Sequence, residues 1–358
     1  MTREKIKVGI NGLGRIGRAI LRNNHYKEFL DVKVINDINP DAHNLAYTLN
    51  YDTLYPSPFK FKVDDTILVS GNYRIAIYSC KNIDEVPWED HDLDYIIDAS
   101  GVYENVVRAR KILSRKKIKR VFVTHSPDIV DFQLVLGANE EELNLDEHFL
   151  ISTSICDATA IAPVLKLIND KYKITNGYIT TLHPWLSYQN LQDGPASSWS
   201  VPGEIYHHYA LGRTAIGNMI PKPTTAVTQT CNVLKRHNIT EEMIGSFSYR
   251  TPAAIVGSAD VTLNVATSVT CDALIACLTE YEEKQKWQII KNNIEPLVSL
   301  DFKQIDYSAI VDNRWTSVIG DNLIKVVLWY DNEYGYAGKV VEQVKYVNDL
   351  LEGKIYGK

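Results

Sequence analysis

Cysteine is scarce in this chain. There are five in 358 residues (Cys80, Cys156, Cys231, Cys271 and Cys277), an odd number with no CxxC pair. That argues against a disulfide framework or a zinc site and for reduced thiols in a cytoplasm. No apolar run approaches the ~18 residues of a membrane span. Three basic residues fall within Met1–Lys7, but no apolar stretch follows them, so nothing reads as a secretory signal. Positive charge is not in excess either: the net charge of −6 argues against nucleic acid as a main partner. The one basic cluster, Arg115-Lys116-Lys117-Ile118-Lys119-Arg120, reads as a solvated helix end, where cations suit the helix dipole. Repeats and low-complexity segments are absent.

What is present is enough chain for two domains, with 45% hydrophobic and 23% charged residues, the balance of a globular protein with a core. Over the first ~155 residues, short β-branched runs (Ile6–Ile10, Val32–Ile35, Tyr95–Ile97, Val121–Val123, Leu150–Ser152) alternate with helical patterns (Arg15–Asn24, His43–Leu49, Val102–Leu113). That rhythm predicts an α/β domain with a mostly parallel, doubly wound sheet over residues 1–155. From 156 to 331 the texture changes. A helix near Ala158–Asn169 precedes long strand-like stretches at Gly177–His183, Ala259–Val269 and Leu323–Tyr330, with a helical pattern over Asp272–Lys291. This predicts an α+β domain on an antiparallel or mixed sheet. A last amphipathic helix over Gly335–Leu351 lies within 332–358, the segment expected to complete the first domain.

Two short segments carry chemistry. Ile6–Asn11 runs into Gly12-Leu13-Gly14-Arg15-Ile16-Gly17, a strand, GxGxxG and a helix start. Gly12 permits the tight turn, Gly14 lets the backbone approach a pyrophosphate, and Gly17 lets helix and strand pack closely. Asp37 closes the second strand 20 residues after Gly17, placed to accept from the adenosine ribose hydroxyls and to repel a 2′-phosphate. The pattern is the Rossmann dinucleotide fingerprint and selects NAD over NADP. The second segment, Ile151-Ser152-Thr153-Ser154-Ile155-Cys156-Asp157, sets a cysteine between a strand and a helix start, whose N–H groups favour a thiolate. His183, ending the run Tyr178–Leu182, is the candidate base. Cys156 is equally readable as a small buried hydrophobe, and nothing in the sequence proves that the two side chains meet.

Across nearly its whole length the chain resembles the glyceraldehyde-3-phosphate dehydrogenase family, including the erythrose-4-phosphate dehydrogenases. The matching blocks are Gly12–Arg18 with Asn36-Asp37, Ala99-Ser100-Gly101-Val102-Tyr103, Lys119-Arg120-Val121 and Thr180-Thr181-Leu182-His183. They continue through Gln189, Asp193-Gly194-Pro195, Arg213, Asn218–Pro221, Arg250-Thr251-Pro252 and Trp329–Tyr336. The resemblance implies Cys156 as nucleophile, and His183 as the base that keeps the thiolate and activates the acyl acceptor. It implies Asn332 and Tyr336 at the nicotinamide, Asn11, Arg15 and Ile16 in the diphosphate loop, and Ser100 and Thr124 on the nicotinamide side. Arg250 would hold the substrate phosphate, with Arg213 in the same anion region; outside that frame both are ordinary surface or ion-pair arginines. A homotetramer, a cytoplasmic location and a small phosphorylated aldehyde substrate are implied too. A non-catalytic NAD-binding sensor or scaffold is the alternative, and the retained Cys156, His183 and Asn332 argue against it.

The chain departs from the family around the thiol. The family's SNASCTTN signature reads Ser152-Thr153-Ser154-Ile155-Cys156-Asp157-Ala158-Thr159, so a serine becomes Ile155 and a threonine becomes Asp157. Leu186 stands where relatives have a phosphate-contacting threonine, and the attacking-phosphate loop reads Pro223-Thr224-Thr225. The 196–212 loop, holding Trp199, Tyr206, His207 and His208, is longer than usual. Asp157 has two readings: a helix cap, or an anion that weakens phosphate binding and admits water as acyl acceptor.

Overall fold

The computed structural model describes residues 5–196 and 208–354. It divides into two compact units: Met1–Leu134, Leu143–Thr153 and Ala337–Lys358 form one, and Val135–Glu142 with Ser154–Tyr336 the other.

The first unit carries β1 (Ile6–Asn11), α1 (Arg15–Lys27), β2 (Leu30–Asn36), α2 (Ala42–Asn50), β3 (Lys62–Asp64), β4 (Ile67–Ser70) and β5 (Tyr73–Tyr78). It continues with β6 (Tyr95–Asp98), α3 (Tyr103–Ser114), β7 (Arg120–Val123), β8 (Phe132–Gln133) and β9 (Leu150–Ser152). They build one nine-stranded sheet in the order β3-β4-β5-β2-β1-β6-β7-β9-β8. The pairs around β1 are parallel, and β3, β4 and β5 form an antiparallel edge that the helical rhythm does not signal. Parallel neighbours need crossover helices, so β1, β2, β6 and β7 are buried and read as continuous apolar runs. Val8, Ile10, Val34 and Ile97 are fully enclosed, each contributing about 1.5–3 kcal/mol of apolar burial. The register sets Asn11 opposite both Asn36 and Asp98, so three polar residues line up at the carboxyl edge of the sheet.

The second unit holds α4 (Cys156–Tyr172), β10 (Ile174–Pro184), β11 (Ile220–Lys222), α5 (Ala226–Val233), β12 (Ile244–Thr251) and β13 (Gly257–Val265). Then follow α6 (Cys271–Lys284), β14 (Ile290–Asn293), β15 (Ala309–Asp312), β16 (Ser317–Ile319), β17 (Leu323–Tyr330) and α7 (Tyr334–Leu351). Its sheet runs β11-β12-β10-β13-β17-β15-β14, with β16 on β17. β10 pairs parallel with β12 and antiparallel with β13, so the sheet is mixed. Burial alternates strictly along β17, as expected of a strand with one covered face. α7 begins in this unit, and its residues from Ala337 onward belong to the first.

Three expectations change. The helical reading of Asp272–Lys291 ends at Lys284, because Ile290 starts a strand paired with Ala309. Gln285 fixes the turn, its Oε1 accepting from the N–H groups of Ile289 (3.0 Å) and Ile290 (2.8 Å). A short apolar run is ambiguous between helix and strand, and sheet pairing decides it here. In the basic cluster, Arg115 and Lys117 pair with Glu89 and Lys119 with Asp94, but Arg120 is buried. It opens β7 and stacks on Phe149, with its guanidinium carbon 4.9 Å from the ring centre. Finally, Trp199, Tyr206 and His207 lie outside the described residues, while His208 is exposed.

Candidate active site

In the first unit, the glycine loop closes as the spacing demands. Gly12 has φ +94°, and a Cβ there would lie 2.8 Å from the Ala99–Ser100 backbone. A Cβ on Gly17 would come within 2.1 Å of the Gly12 carbonyl oxygen. Nothing crowds Gly14, which precedes α1 with no side-chain cap and no acidic residue in the first turn. That leaves a helix start suited to an anion. Asp37 steadies the loop: its two carboxylate oxygens accept from Leu13 N–H (2.7 Å) and Asn39 N–H (2.9 Å) and retain lone pairs for hydroxyl donors. Arg15, beside Ile16 at the helix start, pairs with Asp52 at 2.8 Å. Asn11 is buried, donating to Asp98 (2.9 Å) and accepting from Asn36 (2.8 Å). Asp98 also accepts from Ser100 N–H (3.1 Å), and its backbone carbonyl accepts from Thr124 N–H (3.0 Å). Full burial holds the Asp98 carboxyl above its ordinary range. These residues fit a dinucleotide, with Asn11 bracing the sheet edge from beneath.

In the second unit, Cys156 is the first residue of α4, and Ile155 before it offers no side-chain cap. The preceding Ser154 has φ +66°, a left-handed conformation uncommon for a residue with a Cβ. Its carbonyl accepts from Tyr336 Oη at 2.9 Å. His183 comes from the end of β10, and its Nε2 is 3.5 Å from Cys156 Sγ. The two side chains therefore meet. His183 Nδ1 has two neighbours, the Pro184 carbonyl at 2.8 Å and Arg250 Nη1 at 2.5 Å. Nδ1 can serve only one of them at a time, while the Pro184 carbonyl also accepts from Arg250 Nη1 at 3.2 Å. A protonated Nδ1 donates to Pro184 and leaves Nε2 bare towards the thiol; a bare Nδ1 accepts from Arg250 and puts the proton on Nε2.

Asp157 does not cap the helix. Its Oδ1 accepts from Tyr330 Oη at 2.5 Å and lies 3.9 Å from Cys156 Sγ. Burial, then the Asp157 charge, push the thiol well above its ordinary value. Burial and then the Arg250 guanidinium push His183 down to about 4. The resting pair is thus neutral thiol and neutral imidazole, not the thiolate expected from the helix dipole alone.

The same physics makes a prediction for stability. His125, two residues beyond β7, has both ring nitrogens enclosed without a partner among the described residues, and burial lowers it to about 4. His125 and His183 stay neutral in the folded chain, yet take up protons near ~6.5 when unfolded. Their contribution is complete above about pH 6.5 and is lost as pH falls towards about 4, at up to ~1.4 kcal/mol per pH unit for each histidine. Urea unfolding between pH 7.5 and 4.5 should show this slope, and His125→Gln should remove part of it. Equal slopes in variant and wild type would rule out a buried neutral His125.

Arg250 is buried, and the parallel register of β10 and β12 places it opposite His183. Its Nη2 donates to Tyr188 Oη (3.2 Å), and its Nε is enclosed with no partner among the described residues. A guanidinium without a carboxylate suits an incoming anion. Arg213 is different: exposed, it pairs with Asp193 at 2.8 Å. Thr225 precedes α5 without a side-chain cap, and Thr224 Oγ1 accepts from Ala226 N–H at 3.1 Å. Asn332 Oδ1 accepts from Val256 N–H (3.1 Å), steadying a β-branched residue at φ +71°. Asp98, His125, Tyr188 and Tyr330 escape sequence reasoning. Tyr330 alone left a signal, as the second residue of the matching Trp329–Tyr336 block, though no role was read for it.

Comparison with known proteins agrees across both units. Residues 6–106 match the family model for the NAD binding domain of glyceraldehyde 3-phosphate dehydrogenase, and residues 155–332 match that for its C-terminal domain. A relative from Zea mays, the cytosolic glyceraldehyde-3-phosphate dehydrogenase 3, is 31% identical over 347 residues, 96% of this chain and 98% of the relative. Glyceraldehyde-3-phosphate dehydrogenase from Cryphonectria parasitica is 30% identical over 347 residues, covering 96% and 97%. Glyceraldehyde-3-phosphate dehydrogenase 2 of Bacillus subtilis is 28% identical over 346 residues, with the same coverage.

Proposed function

The chain belongs to the glyceraldehyde-3-phosphate dehydrogenase family, and on that basis we propose that it oxidises a small phosphorylated sugar aldehyde through a thioester on Cys156, with water as the acyl acceptor. The observation that carries this reading is the thiol at the start of α4, 3.5 Å from His183 Nε2 and 3.9 Å from the Asp157 carboxylate. NAD, when bound, supplies the hydride acceptor; Gly12, Gly14, Gly17 and Asp37 would hold its diphosphate and ribose, and Asn332 and Tyr336 its nicotinamide end.

The residues act in sequence. Arg250 pairs with the substrate's phosphate and so leaves His183 Nδ1, which then keeps its proton on the Pro184 carbonyl. Nε2 becomes the bare nitrogen and accepts the Cys156 proton as sulfur adds to the aldehyde carbon. The new alkoxide takes that proton back from His183 Nε2, giving a hemithioacetal and a bare imidazole nitrogen. Hydride leaves its carbon as the hydroxyl proton passes to His183 and on to solvent, so that a thioester and a neutral imidazole remain. Water then adds to the thioester carbonyl, His183 accepts a water proton, and the C–S bond breaks to release the acid and restore the thiol.

Water is favoured because Asp157 opposes a phosphate dianion. Two unit charges ~5 Å apart at an effective dielectric of ~20 repel by about 3 kcal/mol, roughly 100-fold in affinity. Ile155 removes a hydroxyl donor in addition, and Pro223-Thr224-Thr225 alters the phosphate loop. The same reading includes a cytoplasmic homotetramer; among the described residues no helix is long and apolar enough to cross a membrane.

The test is a screen of C3 to C5 phosphorylated aldehydes for NADH formation, with and without inorganic phosphate, and identification of the product. The expected rate depends little on phosphate and yields a free carboxylic acid. Asp157→Thr with Ile155→Ser should introduce a phosphate dependence. A saturable phosphate requirement with an acyl phosphate product would return the chain to the phosphorylating reaction.

A further inference from the structure

We infer that Cys156, Asp157 and His183 together form a binding site for a thiophilic divalent cation, Zn2+ above all, and that its occupancy takes the thiol out of catalysis. Each side chain offers one donor atom, and the three atoms lie within 4.8 Å of one another. They come from two rigid elements, sulfur and carboxylate from the first turn of α4, imidazole from the end of β10.

The spacing fits the ion. With Zn–S at ~2.3 Å, Zn–N at ~2.0–2.1 Å and tetrahedral angles, sulfur and nitrogen stand ~3.5 Å apart. Cys156 Sγ and His183 Nε2 are 3.5 Å apart. The carboxylate oxygen, 3.9 Å from Sγ, closes by a few tenths of an ångström on sulfur, and the three donors, within 4.8 Å of one another, draw together around the ion. Outer partners are in place too. Zinc-binding imidazoles donate their other N–H to a carbonyl or carboxylate, and ligating carboxylates are themselves hydrogen-bonded. His183 Nδ1 lies 2.8 Å from the Pro184 carbonyl, and Tyr330 Oη donates to Asp157 Oδ1 at 2.5 Å. Consecutive helical residues do not normally face each other, so the Tyr330 bond is what turns the carboxylate towards sulfur.

Three protein donors leave a fourth position for water, and the thiolate–imidazole pair discriminates against Mg2+ and Ca2+. This is not the CxxC type of structural site that the cysteine spacing argues against. Binding breaks the Sγ–H bond, forms a Zn–S bond and releases one proton to solvent, with no electron transfer. Zinc on Nε2 keeps the proton on Nδ1 towards Pro184 and so displaces the Arg250 hydrogen bond, a competition that makes the site reversible rather than permanent.

The binding claim stands apart from the proposed reaction; only the inhibition rests on it. The full chain, stripped of metal, is titrated with Zn2+ against a chromophoric chelator and with Co2+ for the thiolate-to-metal charge-transfer band. The expected result is one tight site per chain, about one proton released per ion, and a cobalt–thiolate band absent from Cys156→Ser. Tyr330→Phe should weaken zinc by ~10–100-fold, the usual cost of losing an outer partner, and Asp157→Ala by more. Zinc should also shield Cys156 from alkylation, a readout that needs no variant. Unchanged affinity in Asp157→Ala or Cys156→Ser, or no shielding at saturating Zn2+, would overturn the site. If zinc binds as described yet no aldehyde is oxidised, the reaction fails and the site stands.

Discussion

Cys156→Ala should lower NADH formation by at least ~10⁴-fold while NAD binding is retained. Removing a covalent nucleophile eliminates the route itself, and what survives comes from binding and positioning alone. The nucleotide loop lies in a unit with its own enclosed core of Val8, Ile10, Val34 and Ile97, so the truncation leaves it untouched. Losing a sulfur that already sits at a helix start costs little packing. The measurements are NADH formation under single-turnover conditions and NAD titration of the same preparation. Retention of more than a percent or so of wild-type turnover would exclude the thioester route.

His183→Asn should slow turnover by ~10²–10⁴-fold, the usual worth of a positioned base. The neutral resting pair sharpens this expectation. A thiol pushed upward by burial and by Asp157 does not ionise unaided near pH 7, so the proton must leave through Nε2 at 3.5 Å. Alkylation of Cys156 near neutral pH should therefore slow with the same substitution. Because His183 is held down at about 4, the wild-type rate should stay level from pH 7 to about 5.5 instead of falling through the ordinary histidine range. Equal alkylation rates in variant and wild type would mean that His183 does not take the thiol's proton.

The glycine loop, Asp37 and the order of strands and helices around them were readable because each depends on neighbours in sequence. Gly12 and Gly17 announce a close backbone approach, and alternating periods of about 2 and 3.6 residues mark the elements. Legibility failed where the deciding partner is remote. Nothing near Asp157 says that its carboxylate turns from the helix to Tyr330, which arrives from the last strand of the sheet. Nothing near Arg250 reveals His183, because their contact follows from strand register. Helix-start reasoning placed Cys156 at the first turn of α4, where burial and then the Asp157 carboxylate raise its thiol against the dipole. Ile289 and Ile290 read as helical for a similar reason: their partner strand lies near Ala309.

The pairing of β10 with β12 carries a consequence for selectivity. Main-chain hydrogen bonds, not flexible loops, fix the distance between His183 and Arg250. On the proposed reaction, discrimination against uncharged aldehydes would be written into turnover as much as into affinity: a compound lacking the anion could enter and still find the imidazole engaged. On that reading, widening the substrate range by engineering would have to begin at position 250, since a slip of register by one residue would put His183 and Arg250 on opposite faces of the sheet.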